Sequence, residues 1–242
     1  MLSMKPEKTI PSAEQMLQNF VDSYQKKIKP PFQGCLQIDL DETSQHWWID
    51  FRENGEVSLA EGSAEDVFMT IKTSTETLRQ LHDGDLSPVT AMGRAHYSDP
   101  APLDIVPGKQ ASIAPGSRQF IEVLEFLQRF FNRSRPEKIQ LGMEHSRSVH
   151  GGNVVGLFYG QGFRSAWYAL KKGERLNDPD DVNPFPQALV FLSGSGKAQF
   201  GELTCTVKAG EAYHIPPGSA HVVWNEEEDP LELLFLAWGE GA

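Results

Sequence analysis

Cysteine is nearly absent from this chain of 242 residues: only Cys35 and Cys205 are present. They are too few and too far apart for a disulfide framework or a paired-cysteine zinc motif, so two reduced thiols are expected. Long apolar runs are missing as well. No stretch approaches the ~18 consecutive apolar residues needed to span a bilayer, and the opening "MLSMKPEK" lacks the apolar middle of a secretion signal. The expectation is a soluble, cytoplasmic protein with no transmembrane segment. Basic residues are outnumbered, 22 Lys and Arg against 33 Asp and Glu, and the net charge is −11. That balance speaks against a nucleic-acid backbone or an anionic membrane as the main partner. Small molecules are left as the expected ligand class.

Familiar catalytic motifs are missing too. "GSGKAQFG" is no phosphate loop, because Phe191 stands where the first glycine belongs and Ala198 follows Lys197. It reads as a glycine turn between two strands. Neither a nucleophile elbow nor a histidine-rich zinc-protease motif is present.

The length and the 39% hydrophobic content suffice for two domains, each with a core. Ser12 three residues before Gln15 is a capping-box pattern, and Met16, Phe20 and Tyr24 recur every four residues, so a helix is expected from about Ala13 to Lys27. "CLQIDL", "HWWIDF", "VSLAEG" and "DVFMTIKTS" then read as an antiparallel meander. "STETLRQLHDG" and "SPVTAMG" read as helices capped by Ser74 or Thr75 and by Ser87, with a final short strand near "RAHYS". The proline-rich "YSDPAPLDIVPGKQASIAPGS" reads as an irregular connector. After it, "RQFIEVLEFLQRFF" is a helix too apolar to be buried on one side alone. From Lys138 onward short strands follow one another, punctuated by glycine and proline turns, as in a sandwich or barrel. The divisions are therefore 1–117, an α+β domain; 118–136, a connecting helix and linker; and 137–242, an all-β domain.

The block from about Phe20 to Asp104 resembles the sterol carrier protein family in its type-two, lipid-transfer form, above all in "GDLSPVTAM". The resemblance implies an antiparallel sheet with helices around an apolar tunnel for fatty-acyl or sterol-like ligands. Phe68, Leu78, Leu81, Val89 and Met92 would lie around that tunnel. Ordinary core packing explains each of them as well.

The stretch from about Phe163 to Trp238 resembles the cupin superfamily, a β-barrel or jelly-roll fold. Gly210, Pro216, Gly218, His221 and Asn225 match the fixed places of the family's second motif, which makes His221 the family's metal-binding histidine by position. In the first motif, Asp181, Asn183 and Gln187 stand where two histidines and an acidic residue are usual. Asp181 can still ligate, but neutral amides are poor ligands for transition ions. The resemblance with these departures implies a metal-free barrel with Asn183 and Gln187 among its ligand-binding groups. The alternative is a divalent transition metal at His221, with His145, His150 or His214 supplying missing imidazoles.

Two functions follow. One is a carrier or binding protein for a hydrophobic small molecule, lipid- or sterol-like, in which a barrel with a degenerate metal site holds a ligand as well. The other is a cupin-type enzyme (an isomerase, lyase, cyclase or oxygenase) acting on a substrate presented by the carrier domain, with His221 as general acid or base and Asp181 as its partner. Beyond these two, the resemblance leaves a small-molecule sensor or assembly module, because barrels of this superfamily often pair through their outer strands, which would make a homodimer.

Overall fold

The computed structural model describes residues 10–27, 32–94, 98–109, 113, 117–134, 136–180 and 182–242. Helix α1, Ala13–Gln25, begins where the Ser12 hydroxyl accepts the N–H of Gln15, and it buries Met16, Leu17, Phe20, Val21 and Tyr24. The sheet of this domain contains β1 (Gly34–Leu40), β2 (Gln45–Phe51), β3 (Val57–Glu61), β4 (Met69–Thr73) and β5 (Asp104–Pro107), in the order β3-β2-β1-β4-β5.

Two features depart from the sequence reading. The meander holds only through β3, after which β4 crosses over and pairs parallel with β1, Ile38 opposite Ile71. The reason is burial. β1 and β4 carry fully buried Leu36, Ile38, Met69 and Ile71, whereas β3 is half-exposed along its length, so β3 suits the edge and β4 the centre. The last strand, β5, lies inside the connector that reads as irregular, where Ile105 pairs with Ile71. Most of the "RAHYS" stretch, residues 95–97, lies outside the described residues.

Three more helices follow the same capping logic. α2 (Thr75–Asp83), α3 (Pro88–Met92) and α4 (Arg118–Phe131) start at Ser74, Ser87 and Ser117, each hydroxyl accepting a first-turn backbone N–H. α4 sends Val123, Leu124, Phe126, Leu127, Phe130 and Phe131 into the core of the first domain. Phe126 stacks on Phe32 with ring centroids 3.8 Å apart, and Phe130 meets Phe20, Tyr24 and Phe51 at 6.0, 5.8 and 5.7 Å. At its other flank α4 grips the second domain: the Gln128 amide both donates to the carbonyl and accepts the N–H of Tyr159. The helix read as a connector is thus a packed part of the first core and a bracket onto the second.

The second domain contains two facing sheets. One holds β6 (Arg147–Val149), β7 (Gly152–Gly160), β8 (Phe163–Leu170), β10 (Gln187–Ser193), β13 (Ala212–Ile215) and β15 (Leu231–Trp238), in the order β13-β10-β15-β8-β7-β6. The other holds β9 (Arg175–Leu176), β11 (Ser195–Phe200), β12 (Leu203–Lys208) and β14 (His221–Trp224), in the order β12-β11-β14-β9. Leu170, Leu189, Phe191, Val207, Val223, Leu231 and Leu233 form the buried layer of this domain.

The two domains meet where α3 lies on β7. The Ser87 hydroxyl donates to the carbonyl of Gly156, and the N–H of Gly156 donates to Thr90 Oγ1 at 2.7 Å. Arg147 on β6 closes the far end of α3 by donating to the carbonyls of Thr90 and Gly93 at 2.8 and 2.7 Å. Burial, and after it the charge of Arg94, lowers the Arg147 pKa below the usual arginine range. Among the described residues no helix is long and apolar enough to cross a membrane. Both cysteines are free and half-buried.

Candidate functional site

The turn before His221 is built as its sequence requires. Gly218 adopts φ +74°, a left-handed conformation that side-chain-bearing residues resist, and its N–H donates to the carbonyl of Asn183 at 2.8 Å. The turn thereby places His221 at the first position of β14, where it is 1% exposed and faces inward.

Asn177 holds the imidazole. Its Nδ2 lies 2.8 Å from His221 Nε2 and 3.4 Å from the His221 carbonyl oxygen. A carbonyl can only accept, so the nitrogen facing it is the amide donor, and Nε2 accepts from the same group. The neutral ring then carries its proton on Nδ1. Asn177 sits at φ +64°, and its N–H reaches the carbonyl of His150, itself at φ +55°. Two non-glycine residues in a left-handed conformation thus meet beside one buried histidine, and such strain concentrates at functional sites.

His150, Asn177 and His221 line one end of a cavity of about 570 Å³ that both domains enclose. Val89 and Met92 of α3 and Phe120 and Leu124 of α4 line it from the first domain, and Tyr168 and Phe235 from the second. The cavity follows β7, with Val154 near the histidine end and Tyr159 at the other. At about 3.3 Å per residue these two lie roughly 16 Å apart.

Of the residues singled out from the sequence, Val89, Met92, Asn183 and His221 share this wall. Phe68 packs edge-on against Phe32 at 5.5 Å, and Leu78 is fully buried in the first core. Leu81 borders a separate, polar pocket beside His82 and Arg133. Gln187 is fully buried on β10, between Phe185 and Leu189 of the cavity wall, and neither its amide nitrogen nor its oxygen has a hydrogen-bond partner among the described residues. Asp181 lies outside the described residues. Of the three histidines offered as further ligands, His145 bonds the Asp85 carbonyl and His214 packs on Trp238, while His150 lines the cavity together with His221. Among the described residues no three His, Cys, Asp or Glu side chains gather as a metal-ligand set.

The sequence reading passed over Asn177 and Arg164. Asn177 opens the "NDPDD" stretch, whose composition signals a turn and nothing of the ring it holds. Arg164 follows Phe163 in a strand whose facing is settled only by its partners.

Comparisons with known proteins agree with the geometry in both halves. Residues 13–96 match the SCP-2 sterol transfer family, and residues 167–237 match the cupin domain. The chain carries a sterol carrier domain followed by a cupin domain. Among solved structures, a cupin 2 conserved barrel domain protein from Salinispora arenicola is 17% identical over 43% of this chain and 88% of its own, with a TM-score of 0.39. An RmlC-like cupin with a double-stranded β-helix fold, from Methanocaldococcus jannaschii, is 16% identical over 43% of this chain and 94% of its own, with a TM-score of 0.35. No curated protein matches the chain.

Proposed function

We propose that the protein is a binding protein or carrier that holds one hydrophobic small molecule in the cavity enclosed jointly by its sterol carrier and cupin domains. The observation that carries this reading is the cavity itself, about 570 Å³ with α3 and α4 on one side and the cupin sheets on the other. That volume lies within the range of small-molecule sites, which are apolar with a few placed polar groups. The coupling of the two domains is then literal: each supplies part of one wall, and neither encloses the ligand alone.

The reading is metal-free. Nε2 of His221 is engaged by the Asn177 amide, and Asn183 and Gln187 offer neutral oxygens that transition ions bind poorly. Native mass spectrometry of the intact protein, followed by tryptophan-fluorescence titration with a fatty acid and a sterol, tests the carrier reading. Retained or saturable apolar ligand is expected, and Ala166→Trp, which fills the cavity from β8, should abolish it. Absence of saturable binding by any apolar ligand would remove the carrier reading.

One observation favours the enzyme alternative: a buried histidine with an assigned tautomer faces the same cavity. Turnover of a bound ligand that His221→Gln abolishes while binding persists would establish it.

A further inference from the structure

Two arginines line the cavity, and they differ in their partners. Arg94 is neutralised, its Nη2 3.0 Å from Asp104 Oδ1. Arg164 of β8 has no acidic partner among the described residues. Its guanidinium carbon lies 4.7 Å from the centre of the Tyr159 ring and 4.9 Å from that of Phe185. Nη2 donates to the carbonyl of Gly241 at 2.7 Å, while Nε is buried with no acceptor. The guanidinium is therefore held in a fixed position, with a donor to spare and no ion-pair partner among the described residues. The carboxylate at the same turn, Glu125, is engaged by Arg129 and the N–H of Gln161. The guanidinium is half-exposed, and an anion that reaches it gains a charge-assisted hydrogen bond.

Arg164 lies opposite Tyr159 in the strand pairing, at the end of the cavity away from His221. There Phe158 and Phe163 flank the β7–β8 turn, with ring centres 6.0 Å apart and both rings partly exposed, as an apolar rim. From that rim, Phe120 and Leu124 of α4 lead along β7 to Val89 and Met92 of α3.

We infer that the ligand is an apolar monocarboxylate whose charged end pairs with Arg164 at the β7–β8 turn and whose apolar body lies along β7 beneath α4 and α3. The inference rests on the binding role proposed above and specifies its ligand class. A planar guanidinium matches a carboxylate by geometry. One guanidinium without an ion-pair partner matches one carboxylate; a phosphate dianion would bring a second charge against an apolar wall.

Calorimetric titration of the full chain with dodecanoate and with dodecanol, which share an alkyl chain and differ in charge, tests this. Dodecanoate is expected to bind about tenfold or more tightly than dodecanol, as a charge-assisted hydrogen bond implies. Arg164→Gln should bring the two affinities within about threefold of one another, and Arg164→Lys should restore part of the preference, both variants being compared with the native chain for retained folding by their melting curves. Equal affinities in the native chain, or an Arg164→Gln loss shared equally by both ligands, would overturn the carboxylate inference and leave the binding role standing. If neither ligand binds, both fall together.

Discussion

Thr90 and Gly156 join the two domains where α3 meets β7. Thr90 Oγ1 accepts the N–H of Gly156 at 2.7 Å and lies 2.7 Å from the Ser87 hydroxyl, which donates to the Gly156 carbonyl. Helix α3 thereby substitutes for a neighbouring strand at the point where the β7–β8 register shifts. The backbone groups of β7 are satisfied by side chains from another domain, so cavity shape and domain docking are set by the same few atoms.

The glycine is required by that contact. A Cβ on residue 156 would come within 2.5 Å of Val89 Cγ1 and 3.1 Å of the Thr90 nitrogen. Gly156→Ala is expected to lower stability by about 1–3 kcal/mol, the usual range for overpacking, and to weaken ligand binding because Val89 is on the cavity wall. Denaturant unfolding and ligand titration check both effects. An unchanged midpoint would mean that the domains do not meet at this strand in solution.

Alkaline pH should loosen the aromatic core of the sterol carrier domain. Burial pushes the Tyr24 hydroxyl from its ordinary value of 10.0 up to about 12, with Arg129 opposing. The folded state holds this proton more tightly than the unfolded state does, so the stabilisation is complete below pH 10 and is lost as pH rises towards 12. Its size is on the order of 2–3 kcal/mol. Tyr24→Phe keeps the ring contacts with Phe51 and Phe126 and should flatten this alkaline limb. Urea midpoints at about pH 9 and about pH 11 decide it; an equally steep fall in the variant assigns the loss to other groups.

Much of this organisation was legible in local sequence. Ser12, Ser74 and Ser87 marked helix starts because a cap is a short-range hydrogen bond, and the Pro-Pro-Gly turn marked His221 because glycine adopts the left-handed φ of residue 218 without strain. What escaped depends on partners distant in sequence. The parallel pairing of β1 with β4 reflects a competition for the sheet centre, and β5 is a strand only because β4 offers it an edge. The cavity comes from the docking of α3 on β7, so Val89 and Met92 could be nominated from their own helix while Phe235 and Tyr168 could not. Asn177 bonds a ring 44 positions away. No periodicity carries that information.

Gln187 offers a separate test of the cupin domain's interior. A fully buried amide with neither atom paired among the described residues is destabilising by about 1–3 kcal/mol unless something else meets it. Gln187→Met conserves much of the volume and removes the polar atoms. In ligand-free protein the variant should be at least as stable as the native chain, and more stable by up to that amount. A clear loss of stability would show that the amide has a partner, such as an ordered water, in the native protein.

The last prediction concerns His221 and the metal its sequence context implies. A transition ion at Nε2 needs the lone pair that now accepts from Asn177, so binding would require the amide to leave. We therefore expect chelator treatment to leave the unfolding midpoint unchanged, whereas a structural zinc ion would contribute on the order of 10 kcal/mol and its removal would be obvious. Asn177→Gly separates the two roles of the asparagine: it accommodates φ +64° and frees Nε2. Its expected signature is a loss of about 1 kcal/mol from the missing hydrogen bond, together with a measurable gain in zinc or nickel affinity that His221→Gln reverses. A native protein that loses stability on chelation would contradict the metal-free reading and direct attention to Asp181 as the ligand that completes the site.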